Sequence, residues 1–189
     1  MRNTKVIAAF PACGKYYCFE RNEDYIILDS DSSKFSWMLR KRTKEELEAE
    51  KKAWDSTLHK MPGSMYIDKI KDELIKVRNP EFPKNYIEHI KDNIGKVDYI
   101  FVSTHEEVRN ALSEAGIDFT LVFPEWSLRE EWVGRCFIRG SGEKFCQLIA
   151  DQWEDWLFQM EDEAINNKRK HYRLKAGEYL WDAMRHGYI

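Results

Sequence analysis

The sequence predicts an α/β protein with three layers, in which helices cover both faces of a mostly parallel sheet. Four short apolar runs, each bounded by a turn, have the length and continuity of strands buried on both faces. Segments with helical periodicity separate these runs, and such alternation favours parallel strands joined by right-handed crossovers. The four predicted strands are Lys5–Ala9, Tyr25–Leu28, Val97–Val102 and Ile117–Phe123.

The composition is that of a folded domain without an overall basic field. The 189 residues suit one domain with an insert and are enough for a sizeable core. Hydrophobic residues make up 43% of the chain and aromatic residues 14%, which excludes a disordered chain. The formal net charge of −3 does not favour nucleic acid as a partner, although a local basic groove stays open as an alternative.

Cysteine usage and hydropathy predict a cytoplasmic protein. Cys13, Cys18, Cys136 and Cys146 form no C-x-x-C pair and lack the spacing of a metal finger. Without a secretory signal they are expected to be reduced thiols. No apolar run is long enough to span a bilayer, so no membrane partner is expected.

Helices are predicted in the intervals between the strands and in the remainder of the chain. The segment Arg40–Lys60 is rich in Lys and Glu, and Thr43 with Glu46 forms a capping-box signature. Two interpretations stay open for it: a solvated amphipathic helix, or part of a helical, substrate-binding insert at about 40–78. The chain from Trp126 onward is predicted to be helical. The other predicted helices include Lys15–Glu20, Tyr66–Val77, Asn85–Asn93, Glu106–Ala115 and Glu143–Glu163.

The first predicted strand runs into a loop that ends in Gly14-Lys15. A phosphate-binding loop has the pattern G-x-x-x-x-G-K-[ST], in which backbone N–H groups and the Lys hold phosphate at the start of a helix. Gly14 and Lys15 fit this pattern, whereas Ala9 replaces the first Gly and Tyr16 replaces the Ser or Thr. The alternative is an incidental Gly-Lys in a strand–turn–helix, but the acidic residues and arginines described next favour phosphate binding.

Asp29 and Asp31 follow the second predicted strand. Since the carboxyl ends of parallel strands border the crevice where α/β proteins bind ligands, both carboxylates are expected to face a bound molecule. In phosphoryl transfer, one carboxylate can hold Mg²⁺ and another can accept the proton of the attacking hydroxyl. Asp29 is the predicted magnesium ligand and Asp31 the predicted contact to the acceptor. The alternative is a polar loop that caps the next helix.

An arginine-bearing helix follows the fourth predicted strand. Arg135 and Arg139 lie four residues apart, so they share a helix face and could clamp phosphate. The alternative is an exposed helix whose arginines pair with neighbouring glutamates. Further candidate ligands of a substrate are Arg78, Arg109 and His105, of which His105 could equally cap its helix.

Three of these features together resemble the P-loop kinases of the nucleoside-monophosphate-kinase type. They are the loop Ala9–Lys15, the aspartates Asp29-Ser30-Asp31, and the arginine helix. The placement of the aspartates is similar to shikimate kinase. The segment Leu121–Gly140, with R-x-x-x-R-G on its helix, is similar to the lid region of gluconate kinase and polynucleotide kinase. Most of the chain also resembles small P-loop proteins of bacteriophages.

The resemblance implies a P-loop NTPase fold with five parallel strands in the order 2-3-1-4-5, of which only four are evident in the sequence. It implies ATP and Mg²⁺ as cofactors, a lid at about 127–142, and a loop around Leu174–Glu178 near the adenine. The implied catalytic residues are Lys15, Asp29, Asp31, Arg135 and Arg139. The implied contacts to the nucleotide are Pro11, Ala12, Cys13, Gly14, Lys15, Tyr16, Tyr17 and Arg135.

The expected function is that of an ATP-dependent kinase that phosphorylates a nucleotide, a nucleoside or another small acceptor. Tyr16 is the main departure, because its phenolic oxygen lies too far from the backbone to replace the Mg²⁺-binding hydroxyl of Ser or Thr. Two alternatives stay open. One is a kinase that acts on a nucleic-acid end or a modified base, and the other is a catalytically weak nucleotide-binding module that engages a protein partner.

Overall fold

The structure, a computed structural model, describes residues 2–57 and 74–189. The chain divides into two compact units, one made of Met1–Ser32 with Pro83–Ile189 and the other of Ser33–Phe82. The strands are β1 (Lys5–Ala9), β2 (Ile27–Asp29), β3 (Trp37–Lys41), β4 (Leu74–Arg78), β5 (Tyr99–Val102), β6 (Phe119–Pro124) and β7 (His171–Leu174). The described helices are α1 (Lys15–Arg21), α2 (Ser33–Ser36), α3 (Lys44–Thr57), α4 (Lys84–Asn93), α5 (Glu106–Glu114), α6 (Arg129–Ile138), α7 (Glu143–Asp151), α8 (Trp153–Asn166) and α9 (Leu180–Arg185).

The larger unit is built on a parallel sheet of five strands in the order β2-β5-β1-β6-β7. All four of its strand pairs are parallel. Counted within this sheet alone, the strands have the order 2-3-1-4-5. The predicted α/β class and the parallel sheet are therefore confirmed, and the strand order is the one expected from the resemblance.

The centre of the sheet is the most deeply buried part of the fold. All described residues of β5 and β6 are buried, and so are the last four of β1. In β1, Ile7 pairs with Phe101 on one side and with Thr120 on the other. This register aligns the carboxyl ends of the three central strands, so the loop after β1 begins between the loops that follow its neighbours.

The carboxyl-terminal third of the larger unit differs from its prediction in two places. The helix predicted over Glu143–Glu163 is two helices, α7 and α8, which meet at Gln152. The prediction of helix throughout the rest of the chain is wrong for β7, which pairs with the edge of β6. Only Leu174 of this strand is buried, so β7 lacks the apolar run that identified the central strands.

The smaller unit contains a two-stranded antiparallel sheet, β3 with β4, and the helix α3. The predicted capping box is confirmed: the Thr43 N–H donates to the Glu46 carboxylate over 2.9 Å, and the Glu46 N–H donates to Thr43 Oγ1 over 3.2 Å. The helix predicted over Tyr66–Val77 is wrong at Leu74–Val77, which form a strand, and its earlier part lies outside the described residues. Within the described ranges, every helix is too short or too polar to cross a membrane.

Candidate functional site

The loop after β1 forms the floor of a cavity of about 330 Å³. The Phe10 N–H donates to the Val122 carbonyl over 2.9 Å, which ties the start of the loop to β6. Gly14 then begins α1, and its carbonyl accepts the N–H of Cys18 over 3.0 Å. The cavity is lined by Ala12, Cys13, Gly14, Lys15, Tyr16, Asp29, Arg135, Ile138, Arg139 and Tyr179. Residues that the sequence singled out in three separate segments are therefore neighbours in the fold.

Glycine is required at position 14 for two reasons. Its φ of 92° lies in the left-handed region, which L side chains rarely adopt. A Cβ atom there would also lie 3.0 Å from Cδ1 of Tyr179. Ala12 has a φ of 61°, a left-handed conformation that is unusual for alanine. Ala9 is absent from the described residues with positive φ, so alanine fits the first glycine position of the pattern without strain.

Lys15 and Asp29 supply opposite charges to the same cavity. The Lys15 ammonium donates to the Ala9 carbonyl over 2.9 Å, so the side chain folds back over the loop. Asp29 ends β2, two strands away from β1 in the sheet. Both charges act on the buried thiol of Cys13: burial is the main cause of its raised pKa, while Lys15 lowers that pKa and Asp29 raises it. An ammonium and a carboxylate at the end of a parallel sheet are suited to a phosphate with its counterion.

The donor set of this cavity fits a magnesium ion that arrives with phosphate. Mg²⁺ is usually held by one or two carboxylates together with substrate phosphates and waters. Asp29 provides one carboxylate on the cavity wall. Within residues 2–57 and 74–189 there is no group of three or more His, Cys, Asp or Glu that could hold a metal by itself. Asp29 is therefore suited to a shared ion and not to a separate metal centre.

Tyr16 directs its hydroxyl away from the position of the missing Ser or Thr. The side chain is 65% exposed, and its hydroxyl donates to Glu20, one turn further along α1. This hydrogen bond is the main cause of the raised pKa of the Tyr16 phenol. The hydroxyl of Tyr16 is thus bound to a side chain of α1.

Arg135 is held between two aromatic rings. Its Cζ lies 4.0 Å from the ring centres of both Trp132 and Tyr179, and the side chain is buried. The guanidinium also donates to the Glu178 carbonyl over 2.8 Å and to the Glu131 carboxylate over 2.5 Å. These contacts join α6 to the segment before α9, which packs on Gly14. Arg135 therefore lines the cavity as a fixed side chain.

Arg139 has a different environment from Arg135, although both line the cavity. It is exposed, its Nε donates to Ser141 Oγ, and its Cζ lies 5.5 Å from the ring centre of Phe145. An exposed guanidinium can move toward a bound anion without breaking a buried ion pair. The two arginines predicted as one clamp thus differ, one being fixed and the other exposed.

The remaining predicted residues lie outside the loop cavity or at its margin. Tyr17 stacks on Tyr179, with ring centres 6.5 Å apart. Asp31 is exposed and does not line the cavity. Arg78 belongs to the smaller unit, where its Cζ lies 4.5 Å from the ring centre of Phe82. Asp31 is therefore not among the residues that border the loop cavity.

His105 and Arg109 line a second cavity, which Pro11 also borders. Arg109 is only 4% exposed, and its Nε donates to Glu163 over 2.6 Å. It also donates to the Thr104 carbonyl. Its guanidinium therefore already has a carboxylate partner, which a substrate phosphate would have to displace.

Sequence reasoning missed three residues that shape the site: Tyr179, Trp132 and Trp156. The indole N–H of Trp132 donates to the Pro11 carbonyl over 2.8 Å, and Tyr179 packs on Gly14. A weak signal existed for Tyr179, because the resemblance placed the preceding residues near the nucleotide. Trp132 carries no local signal, and Trp156 belongs to an apolar stripe of its helix that the sequence interprets as core.

Comparisons of this chain with models of known protein families, with curated protein sequences and with solved structures found no match.

Proposed function

We propose that this protein is an ATP-dependent phosphotransferase with a P-loop kinase fold. The observation that carries the proposal is the loop cavity, where Arg139 meets Gly14, Lys15 and Asp29 although it follows them by more than a hundred residues in the sequence. A glycine-ended loop at a helix start, a lysine and an exposed arginine are the groups that hold a polyphosphate. The strand order 2-3-1-4-5 of the sheet supports the same assignment.

Each residue has a defined role in this proposal. Lys15 and the loop N–H groups hold the β- and γ-phosphates, and Arg139 neutralises charge on the transferred group. Asp29 would hold a Mg²⁺ ion through water; when bound, that ion offsets the negative charge of the phosphates. Arg135 keeps the wall formed by Tyr179 in place against the loop.

The reaction transfers one phosphoryl group. An acceptor hydroxyl oxygen forms a bond to the γ-phosphorus, and the bond between that phosphorus and the bridging oxygen to the β-phosphate breaks. ADP leaves with the electron pair of the broken bond. The hydroxyl proton passes to solvent or to a carboxylate; Asp31 lines neither cavity but follows Asp29 at the carboxyl end of β2, and it is the carboxylate that we propose for this step.

The proposal is tested by ADP release from ATP in the presence of a panel of small hydroxyl compounds. We expect Lys15→Ala to reduce turnover by about 100-fold or more, because it removes a cation from the phosphates. Lys91→Ala, on the exposed side of α4, is the matched control and should leave turnover unchanged. Full activity in Lys15→Ala would exclude the assignment of the loop, and full activity in Asp31→Asn would exclude Asp31 as the proton acceptor.

A second candidate function is favoured by one observation, the hydrogen bond from Tyr16 to Glu20. A protein that binds nucleotide but lacks the usual Mg²⁺-binding hydroxyl could serve as a nucleotide-dependent binding module. Stabilisation of the fold by ATP, without ADP release for any acceptor in the panel, would favour this function over a kinase.

A further inference from the structure

The second cavity, which has a volume of about 420 Å³, lies beside the loop cavity within the larger unit. Pro11 borders the second cavity and Ala12, the next residue, borders the first. A second link runs through Phe145, which lines the second cavity while Arg139 of the first lies over its ring. The two cavities therefore adjoin at two places. A molecule in the second cavity would lie next to a phosphate chain held by the loop.

The two cavities differ in charge. The loop cavity carries one carboxylate, that of Asp29, against the cations Lys15 and Arg139, since its third cation, Arg135, is already paired with Glu131. On the second cavity the carboxylates Glu106 and Glu107 line the wall together with Arg109, whose guanidinium is already paired with Glu163. The loop cavity thus attracts a polyanion, whereas the second cavity disfavours any ligand with a negative charge.

Two large aromatic side chains contribute to the wall of the second cavity. Phe145 and Trp156 are both half-buried and line it. Among residues 2–57 and 74–189 the indole N–H of Trp156 has no hydrogen-bond acceptor, whereas those of Trp132 and Trp153 each donate to a backbone carbonyl. Aromatic walls with a spare donor suit a flat heteroaromatic ring, which can stack and also accept a hydrogen bond.

We propose that the second cavity binds the acceptor, and that this acceptor is an uncharged, hydroxyl-bearing compound with a heteroaromatic ring, that is, of the nucleoside class. This inference rests on the proposed phosphotransferase function, since it names the acceptor of that reaction. Its ring stacks on Trp156, and its hydroxyl points past Pro11 toward the phosphate in the loop cavity. Nucleoside monophosphates, sugar acids and nucleic acids are disfavoured because the Glu106 carboxylate on the cavity wall repels their charge.

The experiment compares neutral nucleosides with their 5′-monophosphates as ligands of the full chain in the absence of ATP. Ligand-observed NMR at low ionic strength gives dissociation constants for the four ribonucleosides, the four deoxyribonucleosides and the matching monophosphates. We expect at least one nucleoside to bind about tenfold more tightly than its monophosphate. Equal or tighter binding of the monophosphates, or no binding of any nucleoside, would overturn the proposal.

Two variants test whether binding takes place in this cavity. Trp156→Leu removes the stacking ring and should weaken nucleoside binding by about tenfold or more. Phe158→Leu is the matched control, because Phe158 is exposed on the same helix and does not line the cavity. Unchanged affinity in a folded Trp156→Leu variant would overturn the proposal.

The second variant changes the exposed residue Glu106, so it should fold as wild type does. Glu106→Gln removes a charge from the wall and should improve binding of the monophosphates by about two- to fivefold, with little effect on nucleosides. Glu154→Gln is the control, since Glu154 is also exposed in the first turn of a helix but lies outside this cavity. Monophosphate binding that does not respond to Glu106→Gln would contradict the role assigned to its charge.

Failure of this inference can be told apart from failure of the proposed function. Thermal stabilisation by ATP, and its loss in Lys15→Ala, concerns the loop cavity alone. If ATP stabilises the protein but no nucleoside binds, the acceptor assignment is wrong and the loop assignment stands. If nucleosides bind but ATP does not, the phosphotransferase function is wrong.

Discussion

Gly14 is the residue on which the shape of the loop depends most directly. Gly14→Ala places a side chain in the left-handed region and against Tyr179, so we expect the free energy of unfolding to fall by about 1–2 kcal/mol or more. Gly134→Ala is the matched control: Gly134 lies within α6, and a Cβ atom added there would meet no atom within 4 Å. That substitution should stabilise the protein by about 0.5–1 kcal/mol. Urea unfolding measures both, and equal effects would contradict the geometry described for the loop.

Tyr16 is the residue at which the proposed phosphotransferase function departs from the phosphate-binding pattern. Tyr16→Ser places a small hydroxyl next to Lys15, so we expect turnover to rise if the bound Mg²⁺ lacks that ligand. Tyr16→Phe removes only the hydroxyl that donates to Glu20 and should leave turnover unchanged. The measurement is ADP release with the best acceptor of the panel. Loss of turnover in Tyr16→Phe would mean that the phenolic oxygen itself takes part in the reaction.

At the scale of elements, Arg135 joins α6 to the segment that precedes α9. Arg135→Met leaves the Glu178 carbonyl without its donor and leaves Glu131 with only the Gly177 N–H, so we expect a loss of about 2–3 kcal/mol in the free energy of unfolding. Arg129→Met is the control on the same helix. Arg129 is exposed, and its surface pair with Glu130 should contribute less than about 1 kcal/mol. Equal losses in the two variants, measured by urea unfolding, would show that Arg135 does not act as a buried link.

The cap of α3 should make the free energy of unfolding depend on pH through Glu46. Hydrogen bonds from Arg40, and then from the Thr43 N–H, lower the pKa of Glu46 from its ordinary 4.5 to about 2. Since the folded pKa lies below the unfolded one, the stabilisation by Glu46 is complete above about pH 4.5 and is lost as the pH falls toward 2. Wild type should therefore lose more stability between pH 6 and pH 3 than Glu46→Gln does.

The control for this pH dependence is Glu48→Gln, because Glu48 lies on the same helix but outside the cap. This variant should lose as much stability on acidification as wild type. Urea unfolding followed by circular dichroism at the two pH values gives the comparison. If Glu46→Gln loses as much stability on acidification as wild type, the charge of the Glu46 carboxylate does not stabilise the protein through this cap.

How much of each element could be predicted depends on whether its residues carry a local signal. The central strands were evident because both faces are buried, which makes each an unbroken apolar run. The edge strand β7 buries only Leu174, and all but one residue of β3 are exposed, so neither has such a run. Their strand conformation depends on partners distant in the sequence, which a reading of local periodicity cannot detect.

At the scale of the whole molecule, only the loop cavity of the candidate site was predictable from the sequence. The loop and Asp29 have motif or strand-end signals, and both line one cavity. Tyr179 and Trp156 reach their places through packing between distant segments, without any motif. The role of Arg109 could not be foreseen either, because its partner Glu163 lies 54 residues away.

The burial of all four cysteines makes thiol labelling a probe of the whole fold. Burial is the main cause of the raised pKa of Cys13 and Cys136, and it raises the pKa of Cys18 to about 12. Because the thiolate is the reactive form, iodoacetamide at pH 7.5 should modify none of the four in the native protein within the time that labels all four in urea. Mass spectrometry gives the count for each state. Rapid native labelling of Cys13 would mean that the loop opens in solution.

The contact between the loop and the segment before α9 bears on the order in which the protein can mature during synthesis. The Leu180 N–H donates to the Cys13 carbonyl over 2.8 Å, and Tyr179 packs on Gly14. The ribosome therefore makes the loop more than 160 residues before it makes the partners that hold it in shape. A nascent chain halted before Tyr179 carries the complete loop sequence without this support. Competence to bind a phosphate chain should thus arise late in translation, as a property of the finished fold and not of the motif.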